Sequence, residues 1–389
     1  MHRLAFHYTL SRDAQTRPVR NALIELLQAV ASQGSISAAA RALGLSYRHV
    51  WGELKRWENE LGNELLQWDK GKSARLSAFG EKLMWAERQA QARLAPQIEA
   101  LRADLETAFA VAFDAHAQVL TLYASHDDGL ALLREQALAI GQDLGERLHL
   151  DIRFCGSVDA IRALNEGRCT LAGFHTIQSP APGSLTERTY KPLLQPGQHK
   201  IIGFATRMQG LMLATGNPLG ISRLADVQRA SVRYVNRALG TGTRVVLDQL
   251  LQQAGLAGDS IHGYQRTEPS HSAVAQAIAS GSADAGLGIA AAASAQGLHF
   301  LPLVQESYHL VCLKSALEEP ALQSLRQLLQ SNAWTESLAQ LSGYTPELSG
   351  QVRALRKVLP WWDFARAKRK PAPKGATISK FAQPRPASA

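Results

Sequence analysis

The stretch Gly34–Leu66, GSISAAARALGLSYRHVWGELKRWENELGNELL, sets the reading of everything around it. Ser35 and Ser37 offer N-caps to a short helix, AAARAL, and Gly44 ends it because glycine adopts the left-handed C-terminal conformation at little cost. Ser46 caps the next helix. Along that helix Tyr47, Val50, Leu54, Trp57 and Leu61 recur at alternating steps of three and four, the spacing of a core-facing stripe. The opposite surface carries Ser46, Arg48, His49, Trp51, Gly52 and Lys55. Two short helices across a tight turn, the second with basic and aromatic groups outward, form a helix-turn-helix whose second helix fits a DNA major groove. Ser35, Ser46, Arg48, His49, Trp51 and Lys55 are therefore candidate DNA contacts.

The flanks extend this unit. Upstream, Arg17 to Ser32 predicts a helix with Pro18 near its start and Val19, Leu23, Leu26, Leu27 and Val30 on one stripe. Downstream, LLQWDKGKSARLSAFGEKL predicts a short strand, a turn at Lys70-Gly71-Lys72, a second strand and a helix. A basic hairpin directly after a recognition helix is a wing, and Lys72 and Arg75 are placed for phosphate contact. Residues 15–78 thus make a winged helix-turn-helix domain. From Phe79 to Phe113, the residues Leu83, Ala90, Leu94, Ile98, Leu101, Leu105 and Phe109 form a heptad-like seam. Residues 79–115 are then a linker helix, either packed on its own domain or pairing two subunits.

Composition bounds the rest. A chain of 389 residues with 46% apolar content calls for two or three domains with ample cores. No run approaches the roughly 18 apolar residues of a membrane span, and the N-terminus has no apolar signal-type core, so a cytoplasmic, non-membrane protein is expected. Cys155, Cys169 and Cys312 match no metal spacing and read as buried small apolar residues in a reducing compartment. From Gln351 onward there are ten Lys and Arg against Asp363 alone, which accounts for the whole net charge of +9. Residues 351–389 read as a basic, disordered tail, solvated or adding non-specific attraction to phosphate.

From Gln118 the pattern changes to apolar strands alternating with helices: VLTLYAS, a helix to Leu144, LHLDIRFC, a helix to Glu166, CTLAGFHT. That alternation predicts an α/β domain over residues 118–345 with a largely parallel sheet. In such sheets ligands sit at the carboxyl ends of strands beside helix N-termini. Three junctions qualify: Ser125-His126-Asp127, Gly156-Ser157, and the segment in which a strand ends at Val235 and a helix opens near Thr241. Each favours an anion through unpaired N–H groups and the helix dipole, although each Ser or Thr also fits a plain N-cap. Arg237 could neutralise an anion or sit in a surface ion pair. His126, His175 and Tyr308 could line a cleft or serve structure alone. No metal cluster, nucleophile motif or phosphate loop is legible, so neither a resident metal nor a cofactor nor an enzymatic activity is expected.

The segment SISAAARALGLSYRHVWGELKRWENELG with RLSAFGEKL resembles the N-terminal domain of ModE-type molybdate regulators and, at greater distance, LysR-type regulators. Ser46-Tyr47 and Trp51 favour the ModE side. ALGTGTR, GYQRTEPSHSAVAQAIASGSADAGLGI and FLPLVQESYHLVCLK resemble the binding-protein-like domain found behind such helix-turn-helix units, which is similar to periplasmic molybdate- and tungstate-binding proteins. The resemblance implies a multi-domain chain: an all-α winged helix-turn-helix, a helical linker, and a two-lobed α/β domain of the type II periplasmic-binding-protein kind. It implies that Ser125 and Ser157 hold an oxyanion, that Thr241, Gly242 and Thr243 contribute from the second lobe, and that the chain recrosses to the first lobe at Ala283-Asp284-Ala285-Gly286. The implied function is a transcriptional regulator, a homodimer or tetramer on double-stranded operator DNA, controlled by molybdate or tungstate. A small carboxylate such as formate is the alternative effector. A molybdenum-cofactor-related enzyme and a transport binding protein are the rival classes.

Overall fold

The computed structural model describes residues 21–67, 74–113, 117–144 and 148–362. Its first helix, α1 (Ala22–Gln33), starts where the Asn21 side chain accepts from the Ile24 N–H, and the expected start at Arg17 lies outside the described residues. Gly34 then turns the chain at φ 69° into α2 (Ile36–Ala42), capped by Ser35, and Ser46 caps α3 (Tyr47–Leu61). Leu23, Leu27, Val30, Ala39, Val50 and Leu54 close one core with Leu65, Leu66 and Met84. The expected stripe on α3 needs one correction. Tyr47 is 48% exposed, because the first turn of α3 projects beyond that core together with exposed residues 41–46. The stripe runs instead through Val50, Leu54 and the aliphatic part of Glu58, with Trp57 and Leu61 half-buried at its edge.

Strands β1 (Leu66–Gln67) and β2 (Arg75–Leu76) pair antiparallel as the base of the wing, with Leu66 opposite Leu76. The turn with Lys72 lies outside the described residues. Helix α4 (Ala78–Phe113) follows, 36 residues or about 54 Å long at 1.5 Å per residue. On its seam Leu94, Leu101 and Phe109 are exposed, while its other side packs on the α/β domain.

That domain is two-lobed. Strand β3 (Gln118–Ala124), α5 (Asp128–Leu144), β4 (Leu148–Phe154), α6 (Ser157–Asn165), β5 (Leu171–Ile177) and α7 (Leu185–Tyr190) build the first lobe. The 15-residue strand β6 (His199–Leu213) carries the chain across. The second lobe holds β7 (Asn236–Arg237), α8 (Gly242–Gln253), β8 (Thr267–Glu268), α9 (His271–Ala279), β9 (Ala285–Ile289) and α10 (Ala290–Ala295). Strand β10 (His299–Leu313), also 15 residues, brings the chain back. Helices α11 (Pro320–Gln330) and α12 (Asn332–Ala339), strands β11 (Tyr344–Thr345) and β12 (Val352–Ala354), and α13 (Leu355–Val358) finish the first lobe.

Several expectations change here. The sheet order is β11-β6-β10-β5-β3-β4, with β9 and β12 also on β6, and only the β3 pairings are parallel within it. The two long crossing strands run antiparallel to each other, and β10 runs antiparallel to β5, so the sheet is mixed. Asp284 does not mark the recrossing: β9 still belongs to the second lobe, paired with β6, and the return is made by β10. Lastly, the region from Gln351 is ordered as far as Trp362, because Leu355, Leu359 and Trp361 bury against Phe174, Tyr190 and Ile201. The remainder of the basic tail lies outside the described residues. Cys312 is buried as expected, but Cys155 and Cys169 are only half-buried.

Replacing Leu54 by Ala removes a fully buried side chain and should cost about 3 kcal/mol of the N-terminal domain's stability. Tyr47→Ala should cost less than about 0.5 kcal/mol. Urea titration followed by tryptophan fluorescence checks both, and equal effects would return Tyr47 to the core.

Candidate functional site

The outer face of α3 is open: Ser46, Arg48 and His49 are exposed, and Ser46 also caps the helix by accepting from the His49 N–H at 3.1 Å. Ser35 is engaged in the same way with the Ala38 N–H. Lys55 has a second task. Its ammonium pairs with Glu58 at 2.6 Å and lies 4.9 Å from the Trp51 ring centroid. Glu58 in turn accepts the N–H groups of Leu65 and Leu66, so Lys55 supports the helix-to-wing corner. Arg75 is exposed on β2. Among the described positions, Arg48, His49 and Arg75 therefore have the most freedom to meet DNA.

The second site lies where the lobes meet. Gly156, at the start of α6, packs so closely on Gly240 that a Cβ would stand 2.8 Å from the Gly240 oxygen. The Val158 N–H donates to that oxygen at 3.3 Å. Nearby, a Cβ on Gly242 would reach 2.7 Å from the His175 ring, so glycine lets the first turn of α8 lie against β5. The two rims touch main chain to main chain.

Behind the rims, Arg207 on β6 pairs with Asp127 after β3 and with Glu306, its cross-strand partner on β10. All three are buried. Its Nη2 lies 3.2 Å from His175 Nδ1. Arg207 can only donate, so His175 Nδ1 accepts and the ring's proton belongs on Nε2, which has no partner. Gln209 donates to Glu306 at 2.5 Å and to Thr243 at 3.4 Å, and Thr243 lies 3.3 Å from His271.

Several buried polar atoms here lack any hydrogen-bond partner. They include Ser125 Oγ, Ser157 Oγ, His175 Nε2, Tyr308 hydroxyl, Gln209 Oε1, His271 Nδ1 and Arg237 Nε. Native interiors rarely leave such groups unpaired, and each costs about 1–3 kcal/mol when they do. Arg237 is buried rather than in a surface ion pair. Its Nη1 donates to the Glu268 carbonyl at 2.9 Å, and burial, then the Arg207 charge, pull its pKa down to about 9.

The expected residues thus divide. Ser125, Ser157, His175, Arg237, Gly242 and Thr243 gather at the junction of the lobes. Thr241 is occupied as the α8 N-cap, accepting from the Arg244 N–H and donating to the Ala238 carbonyl. His126 faces away, 3.3 Å from Glu99 on α4. Sequence reasoning missed Arg207, Gln209, Glu306 and His271. A lone Arg and a lone Glu, each inside a 15-residue apolar strand, carried a signal for a buried ion pair. An open groove of about 590 Å³ beside α7, lined by Arg188, Lys191 and Trp361 among others, includes none of these residues. Among the described residues no three His, Cys, Asp or Glu side chains are arranged to hold a metal, and no helix is long and apolar enough to cross a membrane.

Residues 22–81 match the bacterial regulatory helix-turn-helix proteins of the LysR family, and residues 141–330 match the PBP superfamily domain. The chain thus joins a helix-turn-helix of the LysR-family kind to a PBP-superfamily domain. It is 32% identical over 109 residues to an uncharacterized protein encoded in the 5′ region of a ferredoxin 2Fe-2S gene of Clostridium pasteurianum. That match covers 28% of this chain and 96% of the relative, and places both in one family. The uncharacterized protein YvgK of Bacillus subtilis (strain 168) is 32% identical over 200 residues, 51% of this chain, and the match spans 64% of YvgK. A mutant OxyR of Corynebacterium glutamicum, solved with H2O2 bound, aligns over 84% of this chain and 95% of its own at 18% identity, with a TM-score of 0.42.

In this protein burial, followed by the Arg207 charge, holds the pKa values of His175 and His271 well below the usual imidazole range, and burial takes His309 down to about 3. The unfolded chain protonates these rings near pH 6.5 and the folded chain does not, so folding stability is lost as the pH falls below that value. Each ring should remove about 1.4 kcal/mol between pH 7.5 and 5.5, about 4 kcal/mol for the three. Urea titrations at the two pH values test this, and a flat profile would mean that the rings carry charge in the folded protein.

Proposed function

We propose that this protein is a LysR-type regulator that binds double-stranded operator DNA through α3 and the wing, pairs as a homodimer or tetramer through α4, and answers to a small oxyanion held between its lobes. Molybdate or tungstate is the effector this reading favours, as the ModE-like features of the sequence suggest. The observation that carries it is the set of buried donors without partners: Ser125, Ser157, His175 Nε2, Tyr308 and Arg237 Nε. Hydroxyl and N–H donors around one buried guanidinium suit a compact, multiply accepting anion. Neutral His175 adds an N–H without adding a second charge. The exposed Leu94, Leu101 and Phe109, at steps of seven and eight along α4, support the pairing of subunits.

Two experiments test the two ends separately. Arg48→Ala with His49→Ala should weaken binding to DNA fragments selected from a random pool at least tenfold, with the thermal transition unmoved, because both residues are exposed. Undiminished binding would remove α3 as the reading surface.

Ser125→Ala deletes an unpartnered buried hydroxyl, so the ligand-free protein should keep or slightly raise its melting temperature. Calorimetric affinity for molybdate should fall about tenfold or more, the worth of one hydrogen bond to a charged group. Titrations with molybdate, tungstate, sulfate and formate in parallel rank the effectors. Formate binding alone would replace the oxyanion by a small carboxylate, and binding of none would end the reading.

A further inference from the structure

One residue touches both the cleft and the linker helix. The carbonyl of Glu268, at the end of β8, accepts from Arg237 in the cleft at 2.9 Å. Its carboxylate, 1% exposed, receives a two-pronged pair from Arg93 of α4: Nε at 2.8 Å and Nη2 at 2.6 Å. Gln89 reaches the same carboxylate at 3.4 Å, Arg88 donates to Gln296 at 3.1 Å, and Ser270 Oγ donates to the Ala92 carbonyl at 3.4 Å. Every one of these contacts ties α4 to the second lobe.

Six residues further along, about 9 Å of helix rise, α4 changes partners. Glu99 lies 3.3 Å from His126, the residue after Ser125, and Asp104 pairs with Arg153 of β4 at 2.5 Å. Burial alone would raise the Glu99 pKa, but the His126 contact and the Arg134 and Arg102 charges outweigh it and hold the carboxylate ionised. These contacts tie α4 to the first lobe. One continuous helix, with Pro96 between the two sets of contacts, is therefore fastened to both sides of the cleft, and separation of the lobes would load one set of fastenings or bend the helix at Pro96.

We propose that α4 is a strap across the cleft and that Glu268 is the positioning residue that passes the state of Arg237 to it. The proposal rests on the reading of the cleft as the effector site. An anion that draws on Arg237 steadies the Glu268 main chain, and with it the carboxylate that anchors Arg93. By linkage the strap favours the anion as much as the anion favours the strap.

Arg93 lies outside the cleft and is half exposed, so Arg93→Ala should fold. In the ligand-free variant, amide hydrogen exchange over residues 236–243 should be at least fivefold faster than in the wild type. Molybdate affinity should fall three- to tenfold. In the wild type, molybdate should slow exchange over residues 88–100 at least fivefold; in Arg93→Ala that protection should vanish while binding persists, and Arg93→Lys should restore part of it. Glu99→Gln cuts the other fastening and serves if Arg93→Ala unfolds.

Wild-type protein that binds neither molybdate, tungstate nor formate defeats the effector reading, and the ligand-free exchange comparison then decides the strap alone. Exchange over 236–243 within twofold of wild type in both variants overturns it. So does undiminished molybdate protection of α4 in Arg93→Ala.

Discussion

Everything about the sensing half depends on where one guanidinium is buried. Arg207 sits on the first crossing strand, and a cation there is tolerable only with its carboxylates in place, since breaking a buried pair costs about 3–5 kcal/mol. Glu306 must therefore stand opposite it on the return strand, and Asp127 must arrive from the end of β3. The hydroxyl of Tyr344 donates to Asp127 at 2.6 Å and adds a fourth element, β11. A one-residue slip of β10 would turn Glu306 to the other face of the sheet and strand the charge. The ion cluster thus fixes register in the strands that join the lobes, whatever its net contribution to stability. It also sets the chemistry of the neighbouring cleft, because the Arg207 contact decides which nitrogen of His175 keeps its proton.

Among the described residues the two ends share no core. The cluster around Leu27, Val50 and Leu54 is built from residues between Leu23 and Trp85, while the clusters of the α/β domain begin at Leu120 and Tyr123. With no common packed interior, a change in the cleft has α4 as its covalent route to the DNA-binding helices. The same helix turns an exposed apolar seam to solvent and a polar, ion-paired side to its own sensing domain. A heptad pattern with two such faces serves an internal and an external partner at once.

Much of this was legible in the residues. Ser35 and Ser46 as caps, Gly44, and the three–four spacing on α3 placed the helix-turn-helix, since those signals are local and the structure uses them locally. Tyr47 misled because periodicity marks the face of a helix without marking where the core stops. The sheet was harder. Apolar strands separated by helices imply parallel neighbours, yet β6 and β10 are long, consecutive in space and antiparallel, and their pairing spans about a hundred residues of chain. The serines at the strand ends and Arg237 were visible because they flank glycine-rich junctions. Arg207 and Glu306 were visible only as oddities in apolar runs, and His271 not at all, because its place beside Thr243 is made by tertiary packing. Trp361 was lost in a basic segment whose composition hid three buried anchors.

On the proposed reading of the cleft as an effector site, the contact of Gly156 and the Val158 N–H with Gly240 makes it a gauge as well as a container. A rim closed by bare backbone has no side chains that could swing aside, so it can meet only when the contents are small enough to lie wholly beneath it. A bulkier molecule with the same acceptor groups could still engage Arg237 and the serines, but it would hold Gly156 and Gly240 apart. Such a compound would occupy the site while preventing the arrangement that a fitting occupant stabilises. The same contact that admits a small guest would in this way turn a large one into an antagonist.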